Sequence, residues 1–301
     1  MKYLFFGLMS VCMATTSLAQ NVLNAMSPDE LREQRANKTK ITESGDTIST
    51  LAEPMAYGHI EDKDIVWSKV VWEVIDLNER LNQPYYRASD GLLTESASLY
   101  DALVQGVRSG EIQQVFDDEY FTTKMTYDQI VSRTAKKDTQ QYYFDLIDEG
   151  EEPDDGLIFN FEVHSGDIKM LKTKGMWYID RRLGEMKYRL LGLCIMGPDA
   201  QALGTEFDDG TFVELFWIWY PDARQVLNNY TVFNPSNSSS SVTFDDILNA
   251  RRFSSVLYKA QTMYGITPIE DYIPKDAKGQ LEESSRIRES ILQSEADMWS
   301  Y

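Results

Sequence analysis

The apolar residues in the first half of the chain recur mainly at helical spacing. Between residues 65 and 81 they take one side of a helical projection and the charged residues mostly take the other, the apolar side being Val66, Trp67, Val70, Val71, Val74, Ile75 and Leu81. Residues 96–107 repeat leucine and valine four positions apart, and residues 126–136 predict a third helix. The sequence therefore predicts a mainly helical first half.

A strand pattern replaces the helical one in the middle of the chain. Residues 186–193 lead to a turn at Gly197 and Pro198, and residues 211–220 follow after a second turn. The later run is aromatic and β-branched, as expected of a largely buried strand, and Pro221 ends it. These segments predict paired strands.

Helices return after the strands. Residues 222–229 and 244–263 have helical spacing, a serine-rich linker at residues 235–241 separates them, and residues 281–296 predict a polar closing helix. The predicted fold class is α+β, with a mainly helical first half and a small antiparallel sheet in the middle to second half, flanked by helices.

The N-terminal segment has the features of a secretory signal. Lys2 precedes an apolar run at residues 3–13, and the small-residue ending at residues 17–19 predicts cleavage after Ala19. The apolar run is about half the roughly 20 residues that a membrane-spanning helix needs. Cys12 lies inside the signal, not after the cleavage point, which argues against a lipid anchor. We therefore predict an exported protein without direct membrane insertion.

The chain divides into segments on these patterns: a signal peptide at residues 1–19, an extended and partly disordered arm at 20–57, a globular domain at 58–273, and a polar C-terminal helix or tail at 274–301. The arm is polar, poor in aromatic residues and without sustained periodicity. The mature length suffices for one large or two modest domains.

The charge of the chain restricts its partners. The formal net charge is −19, which disfavours nucleic acid and anionic lipid headgroups. Such an imbalance favours a protein partner with a complementary basic surface. Cys194, the cysteine left after cleavage, lies in an apolar run, which predicts a buried thiol; an intermolecular disulfide is the alternative.

Few residues have the spacing of catalytic or metal-binding motifs. His59 and His164 have no other ligand type at zinc-helix spacing, and the acidic run at residues 145–155 lacks the order of a calcium loop. Glycine-rich phosphate loops and nucleophile elbows are absent from the sequence. We predict no metal, no cofactor and no enzymatic activity.

One enzymatic alternative rests on paired carboxylates. Glu214, the lone charge of a predicted strand, would act with Asp208 or Asp222 in a glycoside hydrolase. The structural interpretation is that Glu214 pairs with an arginine, the candidates being Arg181, Arg182 and Arg189. The tryptophans in these patterned elements are assigned to the core in preference to a sugar groove.

Several motifs together resemble the GldN family of gliding-motility proteins, called PorN in non-gliding relatives, which are type IX secretion components of Bacteroidetes. The carriers are WSKVVWEVIDLNE at residues 67–79, PYY at 84–86, WYID at 177–180, ELFW at 214–217, YPDAR at 220–224, FDD at 244–246, RFSS at 252–255 and DY at 271–272. The resemblance covers about residues 57–273.

The resemblance implies a non-enzymatic subunit of a periplasmic ring. It implies association with an outer-membrane lipoprotein, GldK or PorK, contact with the periplasmic part of the motor protein GldM or PorM, and self-association within the ring. Its location would be the inner face of the outer membrane. A periplasmic carboxylate hydrolase and a stand-alone module for secreted cargo are the alternatives.

The interface residues that we predict are aromatic or cationic. Cations in an acidic protein often mark ion-pair contacts, and a solvated or internally paired face is the alternative. The predicted partner interface consists of Tyr85, Tyr86, Arg181, Arg182, Arg251 and Arg252. The polar arm is expected to order on a neighbouring subunit.

Overall fold

The computed structural model describes residues 54–86, 97–139, 158–202, 210–232, 242–263 and 265–298. The predicted signal peptide, residues 20–53 of the predicted arm, the acidic run at 145–155 and the predicted linker at 235–241 lie outside the described residues.

Nine strands are present in the described ranges: β1 (Ile65–Asp76), β2 (Val115–Phe116), β3 (Ala135–Thr139), β4 (Ile158–Glu162), β5 (Met170–Asp180), β6 (Glu185–Pro198), β7 (Phe212–Trp219), β8 (Val256–Thr262) and β9 (Gly265–Pro268). Seven of them form one antiparallel sheet in the order β2-β7-β6-β5-β1-β8-β9, and β3 pairs with β4. The central sheet is therefore large, which corrects the predicted small sheet.

The helices of the same ranges are α1 (Gln83–Tyr86), α2 (Leu99–Ser109), α3 (Tyr127–Thr134), α4 (Tyr220–Asn229), α5 (Phe244–Asn249), α6 (Ile269–Tyr272) and α7 (Ala277–Met298). The fold is α+β, as predicted. The helices predicted at residues 96–107, 126–136, 222–229 and 281–296 are confirmed as α2, α3, α4 and α7.

The prediction of a mainly helical first half is wrong, because its longest helical pattern is a strand. β1 pairs with β5 on one side and with β8 on the other. Val71, Trp72 and Glu73 are buried in succession, so both faces of β1 are covered. A strand buried on both faces loses the alternation that identifies strands, and its apolar run then fits helical spacing by accident. The helix predicted at 244–263 stops at Asn249, and the strand β8 begins at Val256.

The start of α2 shows why that helix was predictable. The Ser98 hydroxyl accepts a hydrogen bond from the Asp101 amide at 3.1 Å, and the Asp101 carboxylate accepts one from the Ser98 amide at 3.2 Å. This capping box satisfies two amides that a helix start otherwise leaves unpaired. Gly110 ends the helix with φ +79°, in the left-handed region that glycine enters without strain.

The buried side chains of the sheet and helices form three clusters. Helices α2, α4 and α5 contribute to a core with sheet residues such as Leu171, Ile195 and Phe216. Ile287 and Ile291 of α7 join a second cluster with Val71 and Leu257. A third cluster contains Trp72, Phe116, Cys194 and Trp217. Burying each large side chain contributes about 2 kcal/mol relative to exposure.

Cys194 lies in this third cluster, which gives a chemical prediction. Its side chain is fully buried, and burial raises the pKa of its thiol well above the usual value. Because the thiolate is the reactive form, a disulfide-exchange reagent is expected to leave Cys194 unmodified in the folded mature protein and to label it fully in urea. A Ser68→Cys variant, whose new thiol is exposed, serves as the reactive control. Rapid labelling of native Cys194 would contradict the buried assignment.

Candidate functional site

The predicted interface residues gather at opposite ends of the long strands. Strands β1 and β5 pair from Ile65 opposite Asp180 to Asp76 opposite Met170. Arg181 and Arg182 lie in the β5–β6 turn at the first end, and α1, which holds Tyr85 and Tyr86, lies at the other end beside residues 252–254. The Arg251 guanidinium reaches back over the middle of the sheet, to Glu73 and Trp177. At about 3.3 Å per residue, the ends lie about 36 Å apart.

Residues 180–184 form the first of these ends, here called the hairpin-tip surface. The Asp180 carboxylate accepts hydrogen bonds from the backbone amide of Arg182 at 2.9 Å and from its guanidinium at 3.0 Å. These hydrogen bonds lower the pKa of Asp180 and hold Arg182 in place. The Arg181 side chain is exposed and makes no ion pair or hydrogen bond within the described chain, and the Leu183 side chain beside it is 54% exposed.

The other end consists of α1 and residues 250–254, here called the α1 surface. Asn82 links its two parts, because its side-chain amide donates to the Asp76 and Ser254 carbonyls and its side-chain oxygen accepts from the Ser254 amide. The Tyr85 hydroxyl donates to the Arg252 carbonyl at 3.3 Å, and the Tyr85 side chain is 1% exposed, so this tyrosine packs in the core. Tyr86 is half-buried and its hydroxyl donates to Gly166.

The two arginines of the α1 surface differ in their surroundings. Arg251 has φ +52° and forms an ion pair with buried Glu73 at 2.7 Å. Its guanidinium also lies 4.4 Å from the ring centroid of Tyr188 and 5.0 Å from that of Trp177. Arg252, in contrast, is exposed, and its side chain makes no ion pair or hydrogen bond with described residues. Of the four predicted arginines, Arg181 and Arg252 are thus the ones whose side chains are open to a partner.

Hydrogen bonds and an ion pair hold Glu214 in the fold, but its partners are not the predicted arginines. Its carboxylate accepts from Lys172 Nζ at 2.7 Å and from Trp217 Nε1 at 2.8 Å, so the expectation of an arginine partner is wrong. Asp222 accepts from the backbone amides of Gln113 and Gln114 at 2.7 and 2.8 Å. Asp208 lies outside the described residues. Both described carboxylates are therefore engaged in holding the fold.

A third feature was missed by sequence reasoning. Residues 54–59, here called the strap, lie across three arginines that donate to their backbone carbonyls. Arg224 reaches Met55 at 2.6 Å, Arg189 reaches Gly58 at 3.0 Å and Arg182 reaches His59 at 2.7 Å. Arginine contacts to a main chain leave no pattern in the sequence, although Arg224 belongs to the YPDAR motif.

Tyr57 is the aromatic anchor of the strap. The guanidinium carbon of Arg224 lies 4.1 Å from its ring centroid and that of Arg189 lies 4.7 Å away, which is the range of favourable cation–π contacts. The Tyr57 hydroxyl donates to Asn249 at 2.9 Å. Burial raises the pKa of Tyr57 to about 12, so its hydroxyl remains a donor at neutral pH.

An ion pair at the base of the strap orients Arg224. The Asp245 carboxylate accepts from Arg224 Nε and Nη2, both at 2.9 Å, and from the Tyr220 hydroxyl at 2.7 Å. Asp245 is 1% exposed and Arg224 is 8% exposed. The fork-to-fork geometry fixes the guanidinium plane against Tyr57.

Across the described residues, no three histidine, cysteine, aspartate or glutamate side chains come together as a metal site requires. No helix in these ranges is long and apolar enough to span a bilayer.

Comparison with known proteins identifies a family that the chain matches. The family model described as gliding motility associated protein GldN matches residues 60–300. No curated protein matches the chain. The matched range contains both the hairpin-tip surface and the α1 surface.

Proposed function

The chain belongs to the GldN family of gliding-motility-associated proteins, and on that premise we propose that it is a non-enzymatic ring subunit of the type IX secretion machinery. The family itself gives the chain a role in gliding motility and type IX secretion. In the proposed assembly the protein lies in the periplasm, at the inner face of the outer membrane. It binds the lipoprotein GldK or PorK there, and it contacts the periplasmic part of GldM or PorM.

The observation that supports ring formation is the separation of the two exposed arginines. A closed ring of identical copies needs two different patches on each copy that meet head to tail. Arg181 and Arg252 lie at opposite ends of the long strands, and each is exposed without an ion-pair partner in the described chain. In a chain of net charge −19, each arginine offers a neighbouring acidic subunit a complementary cation.

Charge reversal at these arginines tests the proposal. Mature protein co-expressed with the lipoprotein partner is expected to form very large, equimolar particles in light scattering after chromatography. Arg181→Glu and Arg252→Glu are each expected to raise the protein concentration needed for assembly at least tenfold. This change corresponds to about 1.4 kcal/mol per contact. The reason is that each change places like charges at a contact that recurs around the ring.

Lys278→Glu is the matched control for the charge change. The Lys278 side chain is 87% exposed and its partner is the surface residue Glu282, 3.5 Å away, so this reversal is expected to leave the particles intact. Normal assembly of both arginine variants would remove these arginines from the interface. Small particles from the wild-type pair would overturn the ring itself.

A further inference from the structure

A polar cluster interrupts the apolar packing on one face of the central sheet. Alternate residues of a strand share a face, so Val71, Glu73 and Ile75 of β1 point the same way. Val71 packs in the cluster that contains α7, whereas Ile75 packs in the cluster that contains α2, α4 and α5. Glu73 therefore lies between two parts of the core, and it is 1% exposed. Thr173, directly opposite on β5, is also fully buried.

The carboxylate of Glu73 has two oxygens with different surroundings. Its Oε1 atom accepts hydrogen bonds from Arg251 Nη2 at 2.7 Å, Ser255 Oγ at 3.2 Å and Arg288 Nη2 at 3.4 Å. Its Oε2 atom is buried and accepts no hydrogen bond from the described residues. Because burying a carboxylate oxygen without a donor is costly, Oε2 requires a donor that these residues do not supply.

Three more buried polar atoms beside Glu73 have no hydrogen-bond partner in the described part of the chain: Arg251 Nη1, the Tyr188 hydroxyl and the Thr173 hydroxyl. The Arg251 guanidinium, which is bound to Glu73, lies 4.4 Å from the Tyr188 ring centroid. The Tyr188 hydroxyl lies over Gly175, since a Cβ atom there would be 2.1 Å from it, and Thr173 is the adjacent residue of β5 on the same face. Burial raises the pKa of Tyr188, and the nearby Glu73 carboxylate raises it further. The four atoms thus belong to one group of neighbouring side chains.

The hydrogen-bonding chemistry of these four atoms selects the ligand. Glu73 Oε2 only accepts hydrogen bonds, Arg251 Nη1 only donates them, and the two hydroxyls can do both. A ligand between them must therefore donate to the carboxylate and accept from the guanidinium. A metal cation cannot accept from Arg251, and a simple anion cannot donate to Glu73. Water does both, and a buried water molecule typically has about three polar partners.

From these contacts we propose that Glu73, Thr173, Tyr188 and Arg251 bind an internal water molecule. The water donates to Glu73 Oε2, accepts from Arg251 Nη1 and uses the two hydroxyls as its further partners. It joins β1, β5 and β6 to the turn after α5 and completes the hydrogen bonding of a polar layer inside the core. The site does not depend on ring formation, because all four atoms are buried within a single subunit.

The sign of a stability change tests this site. Tyr188→Phe removes the hydroxyl and keeps the ring that packs on Trp177. If water binds the hydroxyl, the variant loses a hydrogen bond, and we expect the equilibrium constant of unfolding, measured in urea, to rise about fivefold. If the hydroxyl is unpaired, its removal relieves the cost of burying it. An unchanged or stabilised variant would therefore overturn the proposal.

Tyr100→Phe is the matched control for removing a buried tyrosine hydroxyl. The Tyr100 hydroxyl donates to the Val163 carbonyl at 3.1 Å, so this variant loses a hydrogen bond of known partner. Its equilibrium constant of unfolding is also expected to rise about fivefold. Agreement between the two variants in sign and size is the expected result for a paired Tyr188 hydroxyl.

A crystal structure of the mature protein identifies the partner itself. At a resolution that shows ordered water, we expect an electron-density peak within hydrogen-bonding distance of both Glu73 Oε2 and Arg251 Nη1. If the Tyr188 hydroxyl instead bonds directly to Thr173 or Glu73 and no such peak is present, the water site is wrong, even where Tyr188→Phe destabilises the protein.

Discussion

Replacing Asp245 with asparagine is expected to lower the free energy of unfolding by about 3–4 kcal/mol, the cost typical of leaving one member of a buried ion pair uncompensated. The Asp245 side chain takes two hydrogen bonds from Arg224 and one from Tyr220, and it is almost completely buried. Asparagine keeps the size but loses the charge and one acceptor. The Arg224 guanidinium would then remain buried without a counter-charge.

Urea unfolding followed by far-UV circular dichroism measures this effect. With an m value of about 3 kcal/mol per M for a protein of this size, the midpoint should fall by about 1 M at unchanged m. The control is Glu282→Gln, which removes the exposed partner of Lys278 and should cost under about 0.5 kcal/mol. A midpoint for Asp245→Asn that matches the control would show that the pair does not stabilise the fold.

The ion pair between Asp245 and Arg224 contributes both to the stability of the fold and to docking of the strap. Arg224 donates to Asp245 and to the Met55 carbonyl while its guanidinium lies over Tyr57. A loosened guanidinium therefore weakens strap docking as well as the core. A groove that is rigid before the strap docks favours docking, since preorganisation lowers the entropic cost of binding.

The elements that the sequence predicted correctly are those with local signals. The Ser98–Asp101 capping box and Gly110 mark the ends of α2 within a few residues of the chain. The β-branched and aromatic run of β7 is equally local. The strand β1 has no such local signal. Glu73 in its middle is buried against Arg251 and Arg288, which lie roughly 180 residues or more away along the chain. From the sequence alone, a buried and paired glutamate cannot be distinguished from a solvent-exposed one.

The same limit applies to the candidate interface. The sequence shows two pairs of adjacent arginines but does not show which member of each pair is exposed. Exposure depends on contacts with residues that are distant along the chain. Arg182 binds the His59 carbonyl and Arg251 binds Glu73, whereas their neighbours Arg181 and Arg252 extend into solvent. The strap contacts were invisible for a related reason: a backbone carbonyl has no residue type to recognise.

Gly175→Ala is expected to destabilise the protein by about 3 kcal/mol, at the upper end of the usual cost of overpacking a core. A Cβ atom at Gly175 would lie 2.1 Å from the Tyr188 hydroxyl oxygen and 2.2 Å from its Cζ atom, distances that real Cβ contacts do not reach. The Tyr188 ring cannot easily withdraw, because Trp177 packs on it at 5.1 Å between centroids and the Arg251 guanidinium lies 4.4 Å from its centroid.

A matched glycine and a double-mutant cycle identify the cause. Gly58 has no atom within 4 Å of its added Cβ, so Gly58→Ala should change the unfolding free energy by less than about 0.5 kcal/mol. If the clash with Tyr188 is responsible, Gly175→Ala should cost at least about 1 kcal/mol less in a Tyr188→Leu background than in the wild type. An equal cost in both backgrounds would instead assign the loss to the backbone of β5, where the register with β6 shifts between Lys174 and Gly175.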